Sequence, residues 1–287
     1  MAQSRPRMSE SEYDTYKERK MFDKKVYRMV VFSDCHGWLA DLKALRCINK
    51  VLQKNKFDEV VCNGDVTDMP YLSAHNKRLY SDGILKGYTE TEEIRYTVEQ
   101  ILQPLRASTN ARITIRLGNH CERITKPYLL GKGQLANLAI LYKNLGTTEY
   151  SEMLQLNKMD MIYDPTPCAN YFNIFDVVHG LSLAKNTSEK NIVDYMGSGT
   201  TGHTHRLSPH YLTNKKGNFV WFQSGCTRLI EEVEYLPTGV IANWQSGFLS
   251  ITFYEETPGK YIFFGEPIPV INGKCQYQGI IYDGNSN

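Results

Sequence analysis

No stretch of this 287-residue chain approaches the ~20 uninterrupted apolar residues that a membrane-spanning helix needs. Met1 to Lys25 are polar and charged and hold no apolar core of the kind that directs secretion. An excess of either charge is missing too. The 33 Lys and Arg against 31 Asp and Glu leave a net charge of +2, so nothing global draws the chain to nucleic acid or to a membrane. A paired-cysteine framework is absent: the seven cysteines are odd in number and irregular in spacing, which points to free thiols in a reducing compartment. There is no internal repeat, low-complexity tract or interdomain linker. These absences lead us to expect a soluble, cytoplasmic protein. Its composition, 41% hydrophobic and 22% charged, is that of an ordinary globular chain, and its length can bury a sizeable core.

What is present reads in order as follows. Residues 1–26 form a charged helical extension, with Ser9 and Glu12 at capping-box spacing. Tyr27 to Ser33 is a buried strand by its apolar run. Leu42, Leu45, Ile48, Val51 and Leu52 put a helix over Asp41 to Lys54, and Phe57 to Cys62 is the second strand. Strand–helix–strand implies parallel pairing with a right-handed crossover. Residues 70–90 are long, polar and tyrosine-rich, including Tyr71, Tyr80 and Tyr88; an insertion of that kind in a compact domain reads as a substrate cap. A helix over Thr91 to Arg106 should end or kink at Pro104. Ala111 to Leu117 is a third strand. Leu135, Leu138, Leu141 and Leu145 mark a further helix, Thr147 to Leu156 a shorter one, and Tyr171 to Val178 a strand. After Asn218, short β-rich runs between Gly, Pro and Asn turns suggest a meander or a second sheet. Residues 27–287 are expected to be a single α/β domain.

The chemistry concentrates after the strands. The segments are Asp34-Cys35-His36, Gly64-Asp65-Val66-Thr67-Asp68, Gly118-Asn119-His120, His179-Gly180 and Gly202-His203-Thr204-His205. They hold five of the seven histidines; His75 and His210 fall outside. At strand spacing His203 and His205 would share one face. In open α/β sheets, loops after the C-terminal strand ends form the ligand crevice, so segments far apart in sequence become neighbours. Carboxylate, amide oxygen and imidazole together suit Mn, Fe or Zn ions. A carboxylate held centrally, Asp65, could bridge two of them. Asp34, His36 and His205 would complete one ion, and Asn119, His179 and His203 the other. No thiolate is needed: Cys35 and Cys121 adjoin the set, but neighbours in an extended segment point oppositely.

In this order the segments resemble the signature of the calcineurin-like metallophosphoesterases, across about positions 28 to 206. The resemblance implies a four-layer αββα sandwich of two mixed β-sheets flanked by helices. It also implies two divalent metals and hydrolysis of phosphate esters by a metal-activated water; the mixed imidazole–oxygen donors make Mn²⁺ the foremost ion, with Fe, Zn or Mg²⁺ as alternatives. Position by position it implies the ligand sets above, makes His120 the catalytic histidine that is not a ligand, and makes Asp68 its orienting partner.

Two departures separate the chain from the protein Ser/Thr phosphatases of that superfamily. Met69 stands where they carry Arg, and Cys121 intervenes before Glu122. Arg123 and Arg206 are candidate phosphate-binding replacements, with Lys126 a further one. The expected function is a phosphodiesterase or nuclease on a nucleotide or nucleic acid, with Tyr80 and Tyr88 among groups able to stack on bases. The alternatives are a phosphomonoesterase on a metabolite or phosphoprotein and a non-catalytic scaffold of the same fold. The sequence does not indicate an oligomeric state.

Overall fold

The computed structural model describes residues 25–73, 89–180, 182–230 and 241–286. The expected N-terminal extension therefore lies outside the described residues except for its last two positions. So do positions 74–88 of the expected cap, with Tyr80 and Tyr88. Among the described residues no helix is long and apolar enough to cross a membrane.

In chain order the strands are β1 (Val26–Phe32), β2 (Glu59–Cys62), β3 (Arg112–Arg116), β4 (Met161–Asp164), β5 (Cys168–Tyr171), β6 (Phe175–Val178), β7 (Ser198–Thr201), β8 (Leu207–Asn214), β9 (Gly217–Ser224), β10 (Gly247–Thr257), β11 (Lys260–Pro269), β12 (Lys274–Tyr277) and β13 (Ile280–Asp283). One mixed sheet runs β11-β10-β1-β2-β3-β4 and a second β5-β6-β7-β9-β8, while β12 and β13 form a separate hairpin. β1 to β4 are parallel, as are β6, β7 and β9.

β1 shows why its run is unbroken. Tyr27, Met29 and Val31 face the layer between the sheets, whereas Val30 and Phe32 face the layer beneath the helices. A strand covered on both faces has no polar side to alternate. The helices Leu42–Lys54, Gln103–Ser108 and Lys132–Leu145 contribute to the outer layer of the first sheet, and Thr187–Tyr195 covers the second around Trp221 and Val178. Three apolar layers thus separate four structural ones, the expected αββα stack.

Several local expectations are corrected. The helix expected to end or kink at Pro104 does not end there but is irregular just before it. It forms as Glu90–Tyr96, a π-helical turn Thr97–Leu102 and Gln103–Ser108, with Gln103 N–H donating to Val98 O. The wider turn just before Pro104 accommodates a residue that lacks an N–H and crowds the preceding carbonyls. The strand expected over Tyr171 to Val178 is a hairpin, β5 and β6, reversing through Phe172 and Asn173 at positive φ. The C-terminal β-rich region is not one unit. β9 joins the second sheet, but β10 and β11 extend the first antiparallel to β1, because the apolar faces of Leu249, Ile251 and Phe253 fill the layer between the sheets. The helix Thr187–Tyr195 and the strands β4, β7 and β8 had no legible pattern. β7 is Ser-Gly-Thr-Thr, polar by composition yet fully buried.

Candidate metal centre

The five segments sit at one edge of the sandwich, where β1, β2, β3, β6 and β7 end. Their backbones are unusual. Asp34, His36, Asp65, His203 and His205 all have φ between +50 and +60°. Left-handed conformation in a non-glycine residue costs roughly 1–2 kcal/mol, so the surroundings must hold it. The first two loops are laced together: Asp34 N–H donates to Gly64 O, His36 N–H to Asp65 O and Gly37 N–H to Val66 O. Two glycines permit this packing. A side chain at Gly64, itself at φ +88°, would strike the His179 ring, and one at Gly118 would strike the Asp65 carboxylate. His203 and His205 do not share a face by strand alternation as expected. β7 stops at Thr201, and each histidine is turned by its own left-handed residue.

Two clusters result. In one, His205 Nε2 lies 3.1 Å from His36 Nε2 and 3.2 Å from Asp34 Oδ1. In the other, His179 Nε2 lies 3.0 Å from both Asp65 Oδ2 and Asn119 Oδ1, and the His203 ring stands 5.4 Å from the His179 ring. Asp34, His36 and His205 offer donors within 4.8 Å of one another, as do Asp65, His179 and His203. Metal–ligand bonds of ~2.0–2.2 Å place adjacent ligand atoms about 3 Å apart, so these spacings fit. The donor chemistry fits as well. His36 gives its Nδ1–H to Asp68 at 2.7 Å, and His179 gives its own to Asn63 O at 2.8 Å. Each ring therefore turns its Nε2 inward. Burial opposes ionised His36 and His179, but the neighbouring carboxylates outweigh it and raise both to about 9, so without a cation His179 Nε2 carries a proton toward Asp65 and Asn119 that a bound metal would displace.

The charges agree. Burial disfavours ionised Asp34, but His205 and His36 outweigh it and hold the carboxyl well below the usual range. Burial likewise opposes ionised Asp65 and Asp68, and neighbouring histidines likewise lower both. Burial lowers His205 to about 4, which leaves a neutral imidazole.

His120 adjoins the first cluster: His36, Asp68 and His120 also offer donors within 4.8 Å of one another. The His120 backbone N–H donates to Asp65 Oδ1 at 2.8 Å, and its Nδ1 lies 2.8 Å from Asp68 O and 3.0 Å from Asp68 Oδ1. Arg123 Nη1 donates to Asp68 O and lies 3.0 Å from His120 Nδ1, while Arg206 Nη1 donates to Ala184 O and Lys185 O. Met69 is fully buried, so the position after Asp68 faces the core.

Some contributors left no motif. Glu93, fully buried in the helix Glu90–Tyr96, accepts from the N–H groups of Asp68 and Met69. Asn63 uses its carbonyl, a signal that no side chain advertises. Thr227 N–H donates to Ser33 O, tying the loop after β9 to the first segment.

A two-sheet αββα sandwich with imidazole–carboxylate clusters at one edge has the makings of a metal-binding α/β domain. Residues 27–265 match the calcineurin-like phosphoesterase family, and the chain belongs to it. Members are metal-dependent phosphoester hydrolases in general. The Gene 54 protein of Mycobacterium phage L5 is 25% identical over 270 residues, covering 89% of this chain and 98% of that protein. Its counterpart in Mycobacterium phage D29 is 24% identical over 265 residues, with the same coverages. Among solved structures, a conserved uncharacterized protein of Streptococcus pneumoniae TIGR4, a predicted phosphoesterase, matches with a TM-score of 0.32 and 13% identity over 85% of this chain and 99% of that one.

Proposed function

We propose that the chain is a phosphodiesterase or nuclease acting on a nucleotide or nucleic acid at a dinuclear centre loaded with Mn²⁺. The observation that carries the metal reading is the convergence of His179 Nε2, Asp65 Oδ2 and Asn119 Oδ1, three ligand-type atoms with the nitrogen 3.0 Å from each oxygen. Asp34, His36 and His205 hold one ion, Asn119, His179 and His203 the other, and Asp65 bridges. The ions, when bound, polarise the phosphoryl group and activate the attacking water.

The protein supplies the proton. With Nδ1 of His120 given to Asp68, Nε2 is the atom left to protonate the leaving oxygen. A base-bearing substrate is favoured by Trp38, two residues from His36, which is 40% exposed and packs on Tyr96 with centroids 5.7 Å apart. The cap at 70–90, with Tyr80 and Tyr88, sets substrate choice. Its leading edge is tethered where Tyr71 O and Leu72 O accept from Asn137 and Gln134. Free thiols, six of them buried, suit a reducing cytoplasm.

The test is turnover of bis-para-nitrophenyl phosphate against the mono-ester after chelation and reloading. Mn²⁺ should restore activity better than Mg²⁺, and the diester should be the faster substrate. A faster mono-ester would instead identify a phosphomonoesterase. Two tightly bound ions with neither substrate turned over would favour the scaffold.

A further inference from the structure

The turn that carries His203 and His205 is clamped by two loops outside the motif set. Gln245 N–H donates to His205 O at 2.9 Å, and Gly225 N–H donates to Arg206 O at 2.7 Å. The same loops deliver two side chains. The Trp244 ring centroid lies 4.3 Å from that of His205, with the planes at 67°. The Arg228 guanidinium sits over the Trp244 ring, 4.9 Å from its centroid. His205 is 6% exposed and Arg228 3%.

The histidines of the centre differ in how their rings are held. Asp68 takes Nδ1 of His36 and of His120, and Asn63 O takes Nδ1 of His179. Nδ1 of His205 is buried with no hydrogen-bond partner among the described residues. A ring without such a bond is not fixed in rotation, and a ligand nitrogen that wanders binds metal weakly. An edge-to-face aromatic contact constrains ring tilt, and a cation over the indole holds the indole in turn.

We propose that Trp244, braced by Arg228, is the positioning residue of His205. It sets the ring so that Nε2 faces Asp34 and His36, in place of the hydrogen bond that orients the other rings. This inference rests on the metal-centre reading above. Arg228 is itself buried, and its guanidinium lies against the indole face.

The experiment is calorimetric titration of metal-free protein with Mn²⁺, beside melting of the metal-free forms. Trp244→Ala should weaken one of two binding steps roughly 10–100-fold, leave the other unchanged and leave metal-free melting close to wild type. Trp244→Phe, which keeps an aromatic face, should restore most of the lost affinity, and Arg228→Gln should show an intermediate loss. Wild-type affinity for both ions in Trp244→Ala would overturn the inference. So would equal weakening of both steps with a lowered metal-free melting temperature, the pattern of a merely structural residue. If Trp244→Ala does not fold, Trp244→Leu fills the space without a π face and carries the same comparison. Wild-type protein that takes up no Mn²⁺ would instead overturn the metal centre itself.

Discussion

The ring of His36 stands perpendicular to that of His120 with centroids 4.6 Å apart, and both reach one oxygen: Asp68 Oδ1 lies 2.7 Å from Nδ1 of the first and 3.0 Å from Nδ1 of the second. Asp68 therefore serves a proposed metal ligand and the proposed acid together. The sequence suggested only the second role.

Asp68→Asn should accordingly lower kcat and also weaken the ion held by Asp34, His36 and His205 roughly 10–100-fold. Metal analysis after gel filtration, beside steady-state kinetics, checks both. Full metal content with reduced kcat would confine Asp68 to His120.

His120→Asn should keep both ions and the fold while losing ~10²–10⁴-fold in kcat. The deficit should shrink for para-nitrophenolate, which leaves without needing a proton. A metal-depleted variant, or an equal deficit on poor and good leaving groups, would remove His120 from the role of general acid.

Glu93 supports the second loop from beneath. Glu93→Ala strips the acceptor from the Asp68 and Met69 N–H groups, a loss of about 1–3 kcal/mol for each group left unpaired in the interior. The expected result is a melting temperature several degrees lower and weaker Mn²⁺ binding. Glu93→Gln, which retains an acceptor oxygen, should be milder. Equal melting of Glu93→Ala and wild type would show that water replaces the carboxylate.

Glu90 gives a pH signature away from the centre. Burial raises its carboxyl from 4.5 to about 7, and Oε1 has no partner among the described residues. Between those values the folded chain binds a proton that the unfolded chain has released. Its contribution to stability is thus full below pH 4.5 and fades as pH rises through 7, by about 3 kcal/mol. Glu90→Gln should melt a few degrees above wild type at pH 8 and close to it at pH 4.5. A difference independent of pH would assign the effect to packing.

Legibility followed physical strength of pattern. β1 and the helix Leu42–Lys54 could be read because burial demands apolar residues at fixed spacing. β7 could not, since Thr201 is buried among polar partners such as His179 O and Ser224 Oγ. The expected ligands were legible because packing alone seldom sets imidazole and carboxylate side by side just past a strand. Glu93, Asn63 and Trp244 were not, because each acts through a contact that only the folded chain creates. Arg123 and Arg206, the candidate phosphate binders, bond the carbonyls of Asp68 and Ala184, contacts that no sequence position announces, and Arg123 also meets the His120 ring.

The position of β1 carries a consequence for biosynthesis. It pairs with β2 about thirty residues on, but also with β10 near the other end of the chain, Val26 opposite Tyr254. The strand that presents Asp34 and His36 is enclosed on both sides only once Gly247–Thr257 has been made. Neighbours that come from distant segments set such loops late in folding. A nascent chain can display every one of these motifs and still have no closed crevice around them.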